Sequence, residues 1–484
     1  MVFLKDTILK KLQSNPVAQQ MLQFGNNIGN LFPNEEALCM ASAFMQDKQT
    51  RIVVKKNRYE AQQLYQRLKP LVEDTLLFVM EESLRVQAIA SSPEDKQEQL
   101  YVLTQLVKED KPRIIICNTA AFLRYLPDKE LFKSLCFKFE VDQEITMAEL
   151  KQKLNRAGYT KVNYVDRPCT YASRGGIVDV YCLEYEHPIR IEFFDTVIES
   201  IRLFHEETQR TIQTIDSVLI NPATDLLFTD DQIEYLQKEI DSELEKQQAK
   251  LIQDDYEFLL DYIEKDKISI ENYDIDPHLY IYFSYLNANK LTDYVNGHII
   301  FSSQEEVENG YKKLNEETIS FIQEMVESHQ YLPKYSMFHD IFTFEKEHKI
   351  QMFHDFLDFK HPIFSKIETL EKSDQPLIQI LENLKGKNIY ISLDEEHTKK
   401  VQEALKAYSI HRNITFIEDD FYEGFTYEDI SVYTQQELFH RPSQIKRYQK
   451  TFKQGQILQN ILELEPNDYV VHEQYGIGQY VGIT

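Results

Sequence analysis

The chain has 484 residues, and its 53 Lys and Arg against 79 Asp and Glu give a formal net charge of −26. Such a chain repels a phosphate backbone on average, which argues against general nucleic-acid binding. Hydrophobic residues make up 42% of the sequence, and no apolar run approaches the roughly 18 residues of a membrane helix. Because the N-terminus shows no signal-peptide pattern, we expect a cytoplasmic multidomain protein without a membrane partner.

The cysteines occur singly, with no CxxC pair among them (Cys39, Cys117, Cys136, Cys169, Cys182). This usage is typical of reduced thiols in the cytosol. It provides none of the paired spacings from which structural zinc sites are built. We therefore expect neither a disulfide framework nor a zinc centre.

The first third of the chain alternates between two hydrophobic periods. Three short apolar runs predict strands, at 51–55, 75–80 and 112–117, and two amphipathic stretches between them predict helices, at 59–74 and 95–110. Short apolar strands that alternate with helices are typical of βαβ units. This part of the sequence therefore predicts an α/β domain with a parallel sheet.

The pattern changes after about residue 133. A helix is predicted over 145–159, because Thr146 and Glu149 match a capping box and Gly158 matches a C-terminal stop. Alternating strands follow at 176–183, 187–194 and 197–204. Their short connections favour an antiparallel meander with one face in solvent, so we expect a small α+β unit here.

The second half of the chain predicts further α/β structure. Residues 230–270 are helical and acidic, and we expect strands at HLYIYFSY (278–285) and HIIFSS (298–303) before a long helix. Later elements are a helix at 376–385, a strand at 388–393, a helix from 394 and a strand at 414–419. The stretch 440–456 has five basic and no acidic residues, as in a linker, and 468–484 predicts a strand, a glycine-containing turn and a second strand.

The position of a phosphate-binding loop lacks the residues for nucleotide hydrolysis. Gly25 and Gly29 lie where such a loop is expected, before the strand 51–55. No Lys and no Ser or Thr follows Gly29, whereas a working loop needs the ammonium for the phosphates and the hydroxyl for Mg²⁺. We interpret these glycines as turn residues.

Two groups of polar residues are candidate metal ligands. One combines histidines with aspartates (His339, His348, His354, His361, Asp340, Asp355, Asp358), and the other follows the predicted meander (Asp179, Glu192, Asp195, Glu199). Neither contains a recognised ligand motif. The second also lacks the adjacent Lys that a nuclease-like metal site usually needs. Solvated faces are the favoured interpretation of both groups.

The most informative segment is 171–212. By alternation, the odd-numbered residues of the strand 189–194 (Ile189, Ile191, Phe193) point to the core and the even-numbered ones (Arg190, Glu192, Phe194) to solvent. An exposed Arg and Phe together are typical of an interface. Arg174 precedes Gly175 and Gly176, and because these residues are small we expect its guanidinium to be uncovered. In the alternative, Phe194 lies under a loop and both arginines pair with nearby acids.

These residues resemble a known family. RGGIVDVY (174–181), PIRIEFF (188–194) and ESIRLF (199–204) are similar to the UvrA-binding domain shared by the repair protein UvrB and the transcription-repair coupling factors (Mfd). DYVVHEQYGIGQYVGI (468–483) resembles the start of the RNA-polymerase-interaction domain of the coupling factors, a CarD-like β-barrel that UvrB lacks. The domain order resembles the N-terminal part of a coupling factor over essentially the whole chain.

The resemblance implies a multidomain α/β protein. Its parts are a degenerate RecA/UvrB-like parallel-sheet domain (1–132), an inserted α+β UvrA-binding domain (133–219), the second part of the first domain (220–348), a small α/β domain (349–439), a basic linker (440–465) and the start of the polymerase-interaction domain (466–484).

The resemblance also implies a function in transcription-coupled nucleotide excision repair. UvrA is the expected partner, and the family's contact residues correspond to Arg174, Arg190 and Phe194. RNA polymerase is expected to bind through the polymerase-interaction domain, of which residues 466–484 are only the start. DNA, ATP and Mg²⁺ are expected only at a translocase motor beyond residue 484, so residues 1–484 carry no catalytic residues and no cofactor.

Two other functions remain as alternatives. A UvrB-type DNA-dependent ATPase or nuclease predicts nucleotide binding near residues 25–30, which the missing Lys and the charge of −26 disfavour. A pure polymerase-binding regulator leaves the RGG segment without a role.

Overall fold

A computed structural model describes residues 4–24, 28–29, 31–82, 93–273, 276–354, 363–370, 375–410, 412–417, 421–439, 469–472 and 476–479. The strands in these residues are β1 (Ile28–Gly29), β2 (Arg51–Lys55), β3 (Thr75–Phe78), β4 (Ile114–Asn118), β5 (Phe137–Glu140), β6 (Thr160–Lys161), β7 (Thr170–Arg174), β8 (Ile177–Tyr181), β9 (Ile189–Phe194), β10 (Val197–Phe204), β11 (Thr211–Ile215), β12 (Ser217–Ile220), β13 (His298–Phe301), β14 (Ile350–His354), β15 (Glu368–Thr369), β16 (Asn388–Ser392), β17 (Ile414–Ile417), β18 (Phe425–Tyr427), β19 (Ile430–Tyr433), β20 (Tyr469–His472) and β21 (Gly476–Gln479).

The α-helices cover Leu4–Leu12, Pro16–Leu22, Pro33–Asp47, Arg58–Leu68, Pro93–Lys108, Thr119–Leu123, Lys129–Ser134, Met147–Arg156, Asp230–Gln248, Gln253–Glu271, Leu291–Tyr294, Gln304–Glu327, Ile341–Glu347, Leu377–Glu382, Glu395–Ala407 and Gln435–Phe439. A 3-10 helix covers Pro277–Tyr285. Among the described residues, no helix is both long and apolar enough to cross a membrane. All five cysteines are free thiols.

The parallel sheet predicted near the N-terminus is present. Its six strands lie in the order β1-β14-β13-β2-β4-β3, and every neighbouring pair is parallel. Every residue of β2 is buried, as is typical of a parallel sheet covered by helices on both faces. The strand β14 is hydrogen bonded into this sheet, although the sequence analysis assigns residues from 349 to the following domain.

The antiparallel meander predicted after residue 133 is also present. Its six strands lie in the order β11-β10-β9-β8-β7-β6, and only β6 and β7 run parallel. The helix Met147–Arg156 begins with the predicted capping box, in which the Thr146 side chain accepts from the Glu149 amide and Glu149 accepts from the Thr146 amide. The strands β5 and β12, at the two ends of this unit, pair with each other in antiparallel register.

The prediction of a strand at 278–285 is wrong, because Pro277–Tyr285 form a 3-10 helix. A short apolar run does not by itself distinguish a buried strand from a buried helix. The local signals for a helix were Asp276, whose side chain accepts from the His278 amide, and Pro277 at the first helical position. This segment packs in the main core through Leu279, Tyr280 and their neighbours.

His278 ties this 3-10 helix to the helix Gln253–Glu271. Its Nε2 lies 2.7 Å from Asp266 and its Nδ1 lies 3.0 Å from Asp276. Asp266 is buried and also accepts a hydrogen bond of 2.7 Å from Tyr282, while the ring of Tyr262 lies 6.3 Å from the imidazole. Burial disfavours the charged ring, but the two carboxylates outweigh burial and raise the pKa of His278 to about 9.

We expect the free energy of unfolding to fall as the pH rises from about 6.5 through about 9. Folded His278 holds its proton in this range, whereas an unfolded histidine, with a pKa of about 6.5, has lost it. Because the ring is partly exposed, screening reduces the effect to about 1–2 kcal/mol. Denaturant titrations at pH 6.5 and 9.5 measure it, with His278→Gln as the reference. Equal pH dependence in both proteins would contradict this assignment.

The remaining described strands form two separate sheets. The order β15-β18-β19-β16-β17 builds the small α/β sheet predicted from 388 onward, with β16 parallel to both β17 and β19. The chain divides into two compact units, residues 1–445 and 446–484. In the second, β20 and β21 form the predicted antiparallel pair, and the linker 440–465 lies outside the described residues.

Candidate protein-docking site

The solvent face of the antiparallel sheet follows the alternation predicted for the strand 189–194. Ile189 and Ile191 are fully buried. Arg190 and Glu192 on the other face are half-buried, and Phe194 is exposed. The burial pattern therefore places the polar side chains of β9 on the face that lies away from the core.

Phe194 is exposed at one end of this face. It is the last residue of β9 and 74% of its surface is accessible. It lies opposite Val197 in the register of β9 and β10, and Asp195 turns the chain between them with a positive φ of 56°. The alternative that Phe194 folds under a loop does not hold, so an aromatic ring is available to a partner at this end of the sheet.

The turn that carries Arg174 lies next to the same end of β9. Arg174 and Ile177 are opposite each other in β7 and β8, so only Gly175 and Gly176 form the connection. Gly175 has a φ of +56°, which favours glycine. The amide of Phe193 donates to the carbonyl of Gly176 at 2.8 Å, and a Cβ on Gly176 would lie 3.0 Å from the Phe193 carbonyl oxygen.

Arg174 is exposed and is not neutralised by a carboxylate in the described part of the chain. Its guanidinium lies 5.7 Å from the centre of the Tyr164 ring and donates to the carbonyl of Asn163. Both contacts orient the guanidinium without cancelling its charge. Arg174 therefore keeps donors free for a partner.

Arg190 differs from the exposed anchor that alternation predicts. Its Nε and Nη2 donate to the two carboxylate oxygens of Asp179 at 2.7 and 2.8 Å, and Nη2 also donates to Gln209 at 2.8 Å. The guanidinium lies 4.3 Å from the centre of the Phe204 ring, and only 20% of the side chain is exposed. The hydrogen bonds to Asp179 raise the pKa of Arg190, although burial opposes this. Arg190 is thus a charged residue of the same face, and only a small part of its side chain is accessible to a partner.

Two acidic residues of this sheet, Asp179 and Glu192, take part in ion pairs with arginines. Glu192 pairs with Arg202 and accepts a hydrogen bond of 2.8 Å from Ser200, and Asp179 pairs with Arg190. In the described residues, no group of three or more His, Cys, Asp or Glu side chains is arranged to hold a metal ion. Of the histidine group, burial lowers the pKa of His339, and Asp355, Asp358 and His361 lie outside the described residues.

The carboxyl edge of the parallel sheet, where nucleotide phosphates bind in phosphate-loop proteins, is occupied by ion pairs. Glu36, in the first turn of the helix Pro33–Asp47, is buried and accepts from Lys55 at 2.5 Å and from Ser302 at 2.6 Å. Lys56 and Arg58 also contact carboxylates (Glu60, Glu306, Glu81, Asp95). Gly29 forms the end of β1, and Gly25 lies outside the described residues.

Two family models match this chain. The UvrB interaction domain matches residues 137–226, which include the whole candidate docking site. The CarD-like/TRCF RID domain matches residues 464–484.

Curated relatives align with most of the chain. The transcription-repair-coupling factor of Bacillus subtilis (strain 168) is 29% identical over 468 residues, which are 88% of this chain and 39% of the relative. Those of Staphylococcus haemolyticus and Staphylococcus aureus (strain MRSA252) are 26% and 24% identical over 94% of this chain and 42% of each relative. The curated homologues of this chain are transcription-repair-coupling factors. The chain spans about two fifths of the length of these relatives.

The three residues identified from the sequence lie inside the part of the chain that the UvrB interaction domain matches. The structure brings Arg174 and Phe194 to one end of the sheet and places Arg190 lower on the same face. Sequence reasoning missed Tyr164, which contacts Arg174 from the loop between β6 and β7. No local pattern marks Tyr164, because its loop (162–169) mixes polar residues with Val162, Val165 and Pro168.

Proposed function

We propose that residues 1–484 form a recruitment module that binds UvrA in transcription-coupled nucleotide excision repair. The observation that carries the proposal is the exposed Phe194 beside the un-neutralised Arg174, within the part of the chain matched by the UvrB interaction domain. The relatives are named as transcription-repair-coupling factors, which supports a role in coupling repair to stalled transcription.

Each of the three residues has a distinct part in this proposal. Phe194 inserts its ring into an apolar pocket of UvrA, because an exposed aromatic side chain provides a large apolar contact at low entropic cost. Arg174 donates hydrogen bonds to a polar or acidic group of UvrA, and Arg190 supports the same surface with its accessible edge. A pair of arginines around an aromatic anchor is typical of interface hot spots.

We also propose that this part of the protein does not hydrolyse nucleotides. The buried pair of Glu36 and Lys55 supports this, because a carboxylate occupies the helix end that an ATP phosphate would need. Sequence outside residues 1–484 supplies the ATP-dependent DNA translocase, with its Mg²⁺ and its DNA contacts. The complete CarD-like domain, of which 464–484 is the matched part, binds RNA polymerase.

The free cysteines support action in a reducing compartment. We therefore place this activity in the cytoplasm.

A titration of UvrA with this chain tests the proposal. We expect saturable binding that UvrB reverses, since the family resemblance implies that both proteins use the same surface of UvrA. In a parallel titration we expect no binding of a fluorescent ATP analogue with Mg²⁺. Absence of UvrA binding would reject the recruitment function, and Mg²⁺-dependent nucleotide affinity would favour the UvrB-type ATPase instead.

A further inference from the structure

Tyr164 connects two loops beside the docking site. It lies in the loop between β6 and β7 and is 39% exposed. Its ring faces the guanidinium of Arg174 at 5.7 Å. Its hydroxyl donates to the carbonyl of Glu206, in the loop between β10 and β11, at 2.6 Å.

The carbonyl of Glu206 also connects Tyr164 to Arg190 through Gln209. The side-chain amide of Gln209 donates to the Glu206 carbonyl at 2.8 Å. The side-chain oxygen of Gln209 accepts from Nη2 of Arg190 at 2.8 Å. A continuous series of contacts therefore joins Arg174, Tyr164, the Glu206 carbonyl, Gln209 and Arg190.

We infer that Tyr164 is a further residue of the UvrA-docking site, where it positions Arg174. This inference rests on the proposed function. A free arginine side chain samples many rotamers and loses that freedom when it binds. The Tyr164 ring attracts the guanidinium through a cation–π contact, and the hydroxyl fixes the ring through the Glu206 carbonyl. Arg174 is thereby held in place before UvrA arrives.

The same geometry indicates what UvrA presents to this residue. The Tyr164 ring covers one side of the Arg174 guanidinium, and the Asn163 carbonyl uses one of its donors. Donors that remain suit a carboxylate, which guanidinium groups bind with paired hydrogen bonds. Arg190 and Arg202, in contrast, already pair with Asp179 and Glu192 of this chain.

Affinity for UvrA in a set of variants tests the inference. We expect Tyr164→Ala to weaken binding about tenfold and Tyr164→Phe about threefold, because the second variant keeps the ring and loses only the hydroxyl contact. The double variant Tyr164→Ala/Arg174→Ala is expected to bind no more weakly than Arg174→Ala alone, since Tyr164 acts through Arg174. Tyr235→Ala is the matched control, because Tyr235 is 47% exposed and lies in the helix Asp230–Gln248, outside the residues matched by the UvrB interaction domain.

Specific outcomes overturn the inference. Where Arg174→Ala and Phe194→Ala lose binding, unchanged affinity of Tyr164→Ala would remove Tyr164 from the site. Losses that add in the double variant would reject its role in positioning Arg174. If those two variants also bind normally, the docking site of the proposed function fails instead. Should Tyr164→Ala fail to fold, as judged by thermal unfolding, the comparison of Tyr164→Phe with the parent chain decides, and equal affinity then rejects the inference.

Discussion

Replacement of Phe194 by alanine is expected to weaken UvrA binding by about thirtyfold or more, which corresponds to roughly 2 kcal/mol for the loss of an interface anchor. The ring is 74% exposed in the free chain, so its removal leaves no cavity in the core. The expected loss is therefore confined to the complex. Titration calorimetry with UvrA measures the affinity, and thermal unfolding of the free variant should match that of the parent chain.

Phe32→Ala is the matched control for this experiment. Phe32 has nearly the same exposure, 73%, but precedes the helix Pro33–Asp47 and belongs to none of the strands of the docking site. We expect its removal to leave UvrA affinity unchanged. Equal losses in both variants would indicate a non-specific apolar effect, and unchanged affinity in Phe194→Ala would move the binding site elsewhere.

Removal of the Asp225 carboxylate is expected to lower the free energy of unfolding by about 3–5 kcal/mol, the range for breaking a buried ion pair from one side. Arg124 is 3% exposed, and its Nη2 lies 2.6 Å from Asp225. The Tyr280 ring lies 5.5 Å from the guanidinium but does not replace the lost negative charge. Asp225→Ala therefore leaves a buried cation without a counter-ion.

Denaturant unfolding of Asp225→Ala measures this effect. The matched control is Glu395→Ala, which breaks the exposed pair of Glu395 with Lys399 at 2.7 Å and should not change stability measurably. The double variant Arg124→Met/Asp225→Leu should recover much of the loss, because it removes both charges and keeps the volume. A small effect of Asp225→Ala alone would show that water or another group neutralises Arg124.

Local sequence patterns predicted four of the six parallel strands (β2, β3, β4 and β13), because strands buried on both faces are short apolar runs bounded by polar turns. They did not predict the edge strand β1 or its neighbour β14. They failed at Pro277–Tyr285, where the same kind of run forms a 3-10 helix. The start of that helix is marked only by Asp276 and Pro277. Its burial depends on the helices packed around it, which periodicity does not reveal.

The candidate site was predictable to a similar extent. Alternation identified the face of β9, since it depends only on neighbouring residues in one strand. It did not predict that Asp179, opposite Arg190 in the adjacent strand, neutralises that arginine. The contact of Tyr164 with Arg174 was also out of reach, because it joins a loop to a strand end through tertiary geometry.

The pairing of β5 with β12 has a consequence for how such a module can be inserted into a fold. These strands mark where the chain enters and leaves the interaction domain, and they lie side by side. The strands of the parallel sheet come from both sides of this insertion. The sheet accommodates about eighty intervening residues, because the inserted segment begins and ends at neighbouring positions. A segment whose two ends adjoin can be inserted into a connection of another fold with little disturbance to either part.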